Sequence, residues 1–161
     1  MQKGLLVGYA PGVFDLFHIG HLNLLRNARE LCDYLIAGVL TDEMTNRNKG
    51  LIPIVPFKER LEIVQSIRFV DLAVAEDVPR KLEQWERLQF DVIIKGNDWM
   101  GTDRGRALEA DFAKVGVEVA YLPYTPQTSS TVLRRVLHRE LDGITAPVAD
   151  PVIAQRETHA P

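Results

Sequence analysis

The sequence has a single cysteine, Cys32. An intramolecular disulfide is therefore excluded, and a thiolate zinc site has no second cysteine to build on. Positive charge is not in excess: 19 Lys and Arg stand against 22 Asp and Glu, a formal net charge of −3. No global field draws the chain to nucleic acid or to an anionic membrane, although a local basic pocket for a small anion stays open. No apolar run approaches the roughly 18 residues that a bilayer span requires. The first residues, MQKGLLVGYAPG, have too short an apolar stretch and no small-residue cleavage site for a secretory signal. These absences lead us to expect a cytoplasmic protein with no nucleic-acid partner and no membrane. Histidine is scarce too, and two of the four lie three residues apart in PGVFDLFHIGH, residues 11 to 21.

The rest is ordinary globular material, and 161 residues suffice for one domain with a full core. Short apolar runs alternate with amphipathic stretches. Leu5 to Ala10, YLIAGVL, VDLAVA, FDVIIKG and VEVAYLP read as strands; IGHLNLLRNARELC, PFKERLEIVQSI, VPRKLEQWERLQ, TDRGRALEADFAKVG and SSTVLRRVLHREL read as helices. TDEMTNRNKGLIP, after the second strand, is polar and reads as a loop. Strands that are continuously apolar imply burial on both faces. The expected fold is therefore α/β: a doubly wound, Rossmann-like, parallel five-stranded sheet with helices on both faces. Ligands in such sheets bind beyond the carboxyl ends of the strands. We expect one domain over residues 1–141 and a disordered tail over 142–161, which is rich in Ala, Pro and polar residues without periodicity.

His18 and His21 fall where the first strand turns into the first helix, on one helical face. A helix start offers free N–H groups and the positive end of the dipole, a natural phosphate site, and imidazole N–H donors there stabilise developing charge. Packing and capping are the competing readings. A zinc site lacks further ligands at a suitable spacing. Gly8, Gly12 and Gly20 do not form GxGxxG, and no GK[ST] is present.

The stretch GVFDLFHIGH resembles the GxFDxxHxGH signature of the cytidylyltransferase-like nucleotidyltransferases. The resemblance extends over roughly residues 3 to 140, and DYLIAGVLTDE, IRFVDLAV and KGNDW follow the order found in glycerol-3-phosphate cytidylyltransferases. It implies that His18 and His21 bind the nucleotide phosphates and stabilise the transition state. Gly12, Val13, Phe14 and Gly20 would border the nucleotide. Lys49, in NRNKG, would reach the phosphates of both substrates, and Arg68 would contact those of the nucleotide. In KGNDW, Gly96 and Asp98 would approach the nucleotide, while Asp98 and Trp99 would wall the acceptor; Asn97 departs from the family's first Asp. Tyr124, Thr125, Ser129, Ser130 and Thr131 stand where the family has RTEGISTT, with Tyr124 replacing its Arg. Ordinary helix capping is the competing reading of Ser129, Ser130 and Thr131, and both readings can hold together. Lys81, beside Arg80, is a weaker candidate for the acceptor phosphate, and surface solvation is its competing reading. Asp15 reads as structural.

The reaction implied is CTP plus a small phosphorylated alcohol, most closely glycerol 3-phosphate, giving a CDP-alcohol and pyrophosphate. The resemblance also implies Mg²⁺ carried with the nucleotide, no dedicated metal site on the protein, and a homodimer. Alternatives are ethanolamine phosphate, another polyol phosphate or a phosphonate as acceptor, ATP as donor, or a nucleotide-binding module without activity.

Overall fold

The computed structural model describes residues 4–123 and 129–144. The chain divides into two compact units, Met1–Ser130 and Thr131–Pro161. The first holds a five-stranded sheet: β1 (Val7–Gly12), β2 (Tyr34–Leu40), β3 (Leu72–Glu76), β4 (Val92–Gly96) and β5 (Glu118–Leu122). The strand order is β3-β2-β1-β4-β5 and every pairing is parallel. Helices α1 (Ile19–Arg29), α2 (Asp42–Lys49), α3 (Phe57–Gln65), α4 (Lys81–Leu88) and α5 (Asp103–Ala113) connect the strands. Strand order reverses between β1 and β4, the place where such sheets open a crevice at their carboxyl ends. The doubly wound expectation is met. Helix α6 runs Ser130–Ile144, all but its first residue in the second unit, and so continues past residue 141; the rest of the expected tail lies outside the described residues. No described helix is long and apolar enough to cross a membrane.

The sheet separates two cores. Tyr9, Ile36 and Ile93 face Leu108 and Phe112 of α5, with Leu82, Trp85 and Leu88 of α4 packed alongside. Ala10, Leu35, Ala37, Val39 and Ile94 face Leu25 and Ala28 of α1 and Val64 of α3. Alternate residues of one strand supply opposite cores, which is why the strands read as unbroken apolar runs.

Three aspartates repeat one device at the amino edge of the sheet. Asp33, Asp71 and Asp91 immediately precede β2, β3 and β4. Their carboxylates accept from the N–H groups of Leu6 (2.9 Å), Leu35 (2.7 Å) and Val7 (2.8 Å) on the neighbouring strand or its lead-in. Each ties one strand to the next where the ladder starts and satisfies a donor that lies outside it.

The segment expected as a loop after β2 instead forms α2. Thr41 caps it, its Oγ1 accepting from Met44 N at 3.1 Å; Asp42 and Glu43 occupy the first turn, and Gly50 ends it with φ +64°. These are strong start and stop signals. The apolar periodicity that marks a helix is missing because only Met44 and Thr45 are buried.

Gly38 of β2 is constrained by close approach. A Cβ there would overlap the hydroxyl of Tyr9 on the adjacent strand. Gly38→Ala is expected to lower stability to urea by about 1–3 kcal/mol, because the tyrosine is fully buried and cannot swing away. A midpoint and slope equal to wild type would refute that packing.

Candidate active site

The loop from β1 to α1 is held in an uncommon shape. Phe14 and Leu16 both lie in the left-handed region, at φ 55° and 49°, a conformation that persists only where surrounding structure imposes it. Asp15 between them is buried, and its carboxylate accepts from the N–H groups of Ile54 (3.0 Å) and Val55 (2.9 Å). The Ser130 hydroxyl donates to the Asp15 carbonyl at 2.7 Å. The Arg60 side chain has no exposed surface. It donates to the Val13 carbonyl, to the Val55 carbonyl at 2.8 Å and to the Asp42 carboxylate at 2.6 Å. Two buried charges thus bind the loop to α2, α3 and the segment between them.

That loop delivers the histidines. His18 is the N-cap of α1, and its Nδ1 accepts from Gly20 N at 3.0 Å; His18 N donates in turn to His21 Nδ1 at 3.4 Å. The pair forms a capping box built from imidazoles, with ring centroids 3.9 Å apart. Both Nδ1 atoms accept, so in the neutral rings the proton resides on Nε2 and two N–H donors remain for a ligand. The rings are held neutral. Burial lowers the pKa of His18; burial first, then the charges of His18 and Lys49, push His21 down to about 3 against an opposing pull from Asp15. Positive charge at this edge therefore comes from lysines.

Three lysines supply it. Lys49 is the last residue of α2, and its charge acts on His21, Lys81 and Lys95 alike. Lys95 of β4 is buried, donates to the Pro11 carbonyl at 3.5 Å and stands 4.1 Å from the centroid of the Trp99 ring. Burial, then Lys49, lowers it to about 8, with Asp98 opposing. Lys81, the first residue of α4, pairs with the buried carboxylate of Glu76 at the end of β3. The Tyr9 hydroxyl donates to the other oxygen of that carboxylate. Burial and the charges of Lys95 and Lys49 draw Lys81 down towards about 7, and the carboxylate in direct contact pulls the other way. Ammonium groups crowded at low dielectric make this edge hospitable to phosphate.

After β4, Asn97–Trp99 make one 3-10 turn. A Cβ at Gly105 would collide with the Trp99 carbonyl, so a glycine on α5 lets the turn pack closely. An open cleft of about 370 Å³ follows, lined by Asp98, Trp99, Thr102, Asp103 and Arg104.

The structure brings the motif residues Gly12 to His21 together with Lys49, Lys81 and Gly96 to Trp99, all following the carboxyl ends of β1 to β4. It places Arg68 elsewhere. Arg68 precedes β3 at the amino edge, exposed, its guanidinium carbon 4.9 Å from the Phe69 ring centroid. Ser129 and Ser130 end the first unit, and Thr131 lies on α6 in the second. Tyr124 and Thr125 lie outside the described residues. Sequence reading missed Arg60, Lys95 and the Tyr9–Glu76 pair. Arg60 left a signal, a cation three residues after Phe57 and four before Val64 on the apolar stripe of α3. Lys95 left one as well, a charge ending an apolar strand.

The cytidylyltransferase-like family model matches residues 9–136. Glycerol-3-phosphate cytidylyltransferase of Staphylococcus aureus is 38% identical over 128 residues, 79% of this chain and 91% of that one. FAD synthase of Pyrococcus abyssi is 37% identical over 131 residues, 80% of this chain and 87% of that one. Among solved structures, the lipopolysaccharide core biosynthesis protein from Thermoplasma volcanium superposes with a TM-score of 0.65 at 30% identity, covering 76% of this chain and 98% of that one.

The buried His21 has a consequence for stability. Its pKa lies near 3 in the fold and at 6.5 when solvated. Between those values the unfolded chain binds more protons than the folded one. This contribution is complete above pH 6.5 and is lost as the pH falls towards 3. Between pH 7 and pH 5, wild type is expected to lose up to about 2 kcal/mol more than His21→Asn in urea unfolding. Equal losses in the two proteins would show that His21 is not held neutral.

Proposed function

The chain belongs to the cytidylyltransferase-like family and is a nucleotidyltransferase; from that premise we propose that it transfers CMP from CTP to a small phosphorylated alcohol, glycerol 3-phosphate foremost. The observation that carries this reading is the histidine pair. Two imidazoles with Nδ1 engaged and Nε2–H available stand at the start of α1, with the charge of Lys49 acting on His21. A phosphate oxygen of the acceptor attacks the α-phosphorus in line, the bond from that phosphorus to the bridging oxygen breaks, and pyrophosphate leaves. Nε2–H of His18 and His21 donates to oxygens on which charge accumulates, while Lys49 offsets the charge of the phosphates. Acceleration comes from positioning and fixed dipoles, with no covalent enzyme intermediate. Lys81, Lys95, Asp98 and Trp99 form the acceptor side, the cations for its phosphate and Asp98 for a hydroxyl.

Mg²⁺ entering with the nucleotide belongs to the same proposal. Among the described residues no three His, Cys, Asp or Glu side chains gather as a metal site. The carboxylates of Asp15 and Glu76 are engaged within the protein, so the nucleotide phosphates fit as its ligands. It would supply charge neutralisation on those phosphates. A homodimer is proposed as well, supported by exposed apolar side chains at Ile63 of α3 and Leu72 of the edge strand β3; the mass from sedimentation equilibrium tests it.

A second reading keeps the chemistry and changes the donor to an adenine nucleotide. It is favoured by the near-equal identity to an enzyme named FAD synthase. Pyrophosphate release, crossing CTP, ATP, UTP and GTP against glycerol 3-phosphate, ethanolamine phosphate and other alcohol phosphates, separates the two. CTP with glycerol 3-phosphate is the pair expected to turn over; turnover with ATP alone would overturn the donor. His18→Ala is expected to lower the rate by about 100-fold or more. A folded variant that retains activity within a few-fold would remove His18 from catalysis.

A further inference from the structure

Tyr9, Glu76 and Lys81 come from three different elements, the central strand β1, the edge strand β3 and the start of α4, and meet at one carboxylate. Tyr9 is fully buried and Glu76 is 1% exposed. The Lys81 side chain keeps 20% of its surface exposed, so of the three only the lysine reaches a ligand. Each support is itself fixed. Tyr9 stacks on Phe90 with centroids 4.6 Å apart. Its hydroxyl occupies the space that Gly38 leaves by having no side chain. The backbone carbonyl of Glu76 accepts from Thr41 N at 3.2 Å.

A buried ion pair of this kind is poor evidence of stability, since apolar residues of similar volume serve as well. What it does deliver is orientation. A lysine stem has four rotatable bonds and a point charge at its end, and left to itself it is poorly aimed. The Glu76 carboxylate pairs with the ammonium through one oxygen, and an ammonium group carries three donors. Burial raises the pKa of the Tyr9 phenol, so it stays protonated and donates. The charges of Lys49 and Lys95 act on Lys81 from nearby, and a phosphate dianion placed there would offset them. Lys81 starts the helix on the sheet face opposite α1, across the edge from the histidines and on the same face as Lys95.

We propose that Tyr9 and Glu76 are positioning residues that aim Lys81 at the phosphate of the acceptor, not at the nucleotide. This rests on the transferase reading above and adds the residues that set its affinity for the acceptor. The test is a double-mutant cycle in the pyrophosphate-release assay with CTP and the acceptor that wild type turns over, circular dichroism and thermal melting verifying the fold. Lys81→Met is expected to raise the acceptor KM by about 30-fold, with the CTP KM within about twofold of wild type. Tyr9→Phe, which removes only a hydroxyl, is expected to raise the acceptor KM by about fivefold and leave the CTP KM unchanged. In the double variant the Tyr9 effect is expected to vanish, because it acts through a side chain no longer present. If Tyr9→Phe does not fold, Glu76→Gln takes its place in the cycle with the same expected pattern.

An unchanged acceptor KM in Lys81→Met, an equal rise in both substrates' KM values, or a Tyr9 effect that persists at full size on the Lys81→Met background would each overturn the inference while the transferase reading stands. No turnover by wild type with any nucleotide and acceptor phosphate would overturn both.

Discussion

Arg60 has no exposed surface and yet holds three parts of the chain at once: the carbonyl of Val13, the carbonyl of Val55 and the carboxylate of Asp42. Asp15 answers it from the other side, accepting from Ile54 N and Val55 N. Phe14 is buried in the core beneath α1 and Phe17 packs against it, but two residues of this loop are in a backbone region that side chains resist. Buried charge adds to that packing the directional bonds that hold the strained backbone, and removing the acceptors of Arg60 would leave its guanidinium buried without solvent. The orientation of His18 and His21, the start of α1 and the placing of α2 with its terminal Lys49 all depend on this clamp.

The edge that results separates two kinds of electrostatics. The histidines are neutral donors with a fixed tautomer, suited to oxygens whose charge changes during reaction. The lysines are cations suited to phosphates whose charge is present throughout. Burial produces both effects. It disfavours protonation of the imidazoles, and it draws the ammonium groups of Lys81 and Lys95 down against the opposing pull of nearby carboxylates. The histidines and Lys81 start helices on opposite faces of the sheet, α1 above one core and α4 above the other. A nucleotide and a second phosphate can thus be approached from different helices.

Positions at this edge are set by the sheet, and the sheet is aligned from its far end. Asp33, Asp71 and Asp91 each close the first N–H beside a neighbouring strand, which sets where each ladder begins and so where each strand ends. Gly38 and Gly105 act similarly by absence, admitting the Tyr9 hydroxyl and the Trp99 carbonyl where a Cβ would not fit.

The alternation of apolar runs with amphipathic stretches determined the parallel α/β architecture, since continuous apolar strands are tolerated only when both faces are covered. The spacing of His18 and His21 after the first strand determined where the phosphate site begins. Both properties are local: they depend on periodicity and on a helix start, and a helix start sits where its own residues put it. Helix α2 was hidden because its capping residues carry the signal while its apolar face is nearly absent. Arg60, Lys95 and the meeting of Tyr9, Glu76 and Lys81 required the tertiary structure. Each joins residues 18 to 84 positions apart, or a charge to a core, and no pattern along the chain states which strand lies beside which. The strand order placed β1 between β2 and β4, and burial then decided which ionisable groups keep their charge.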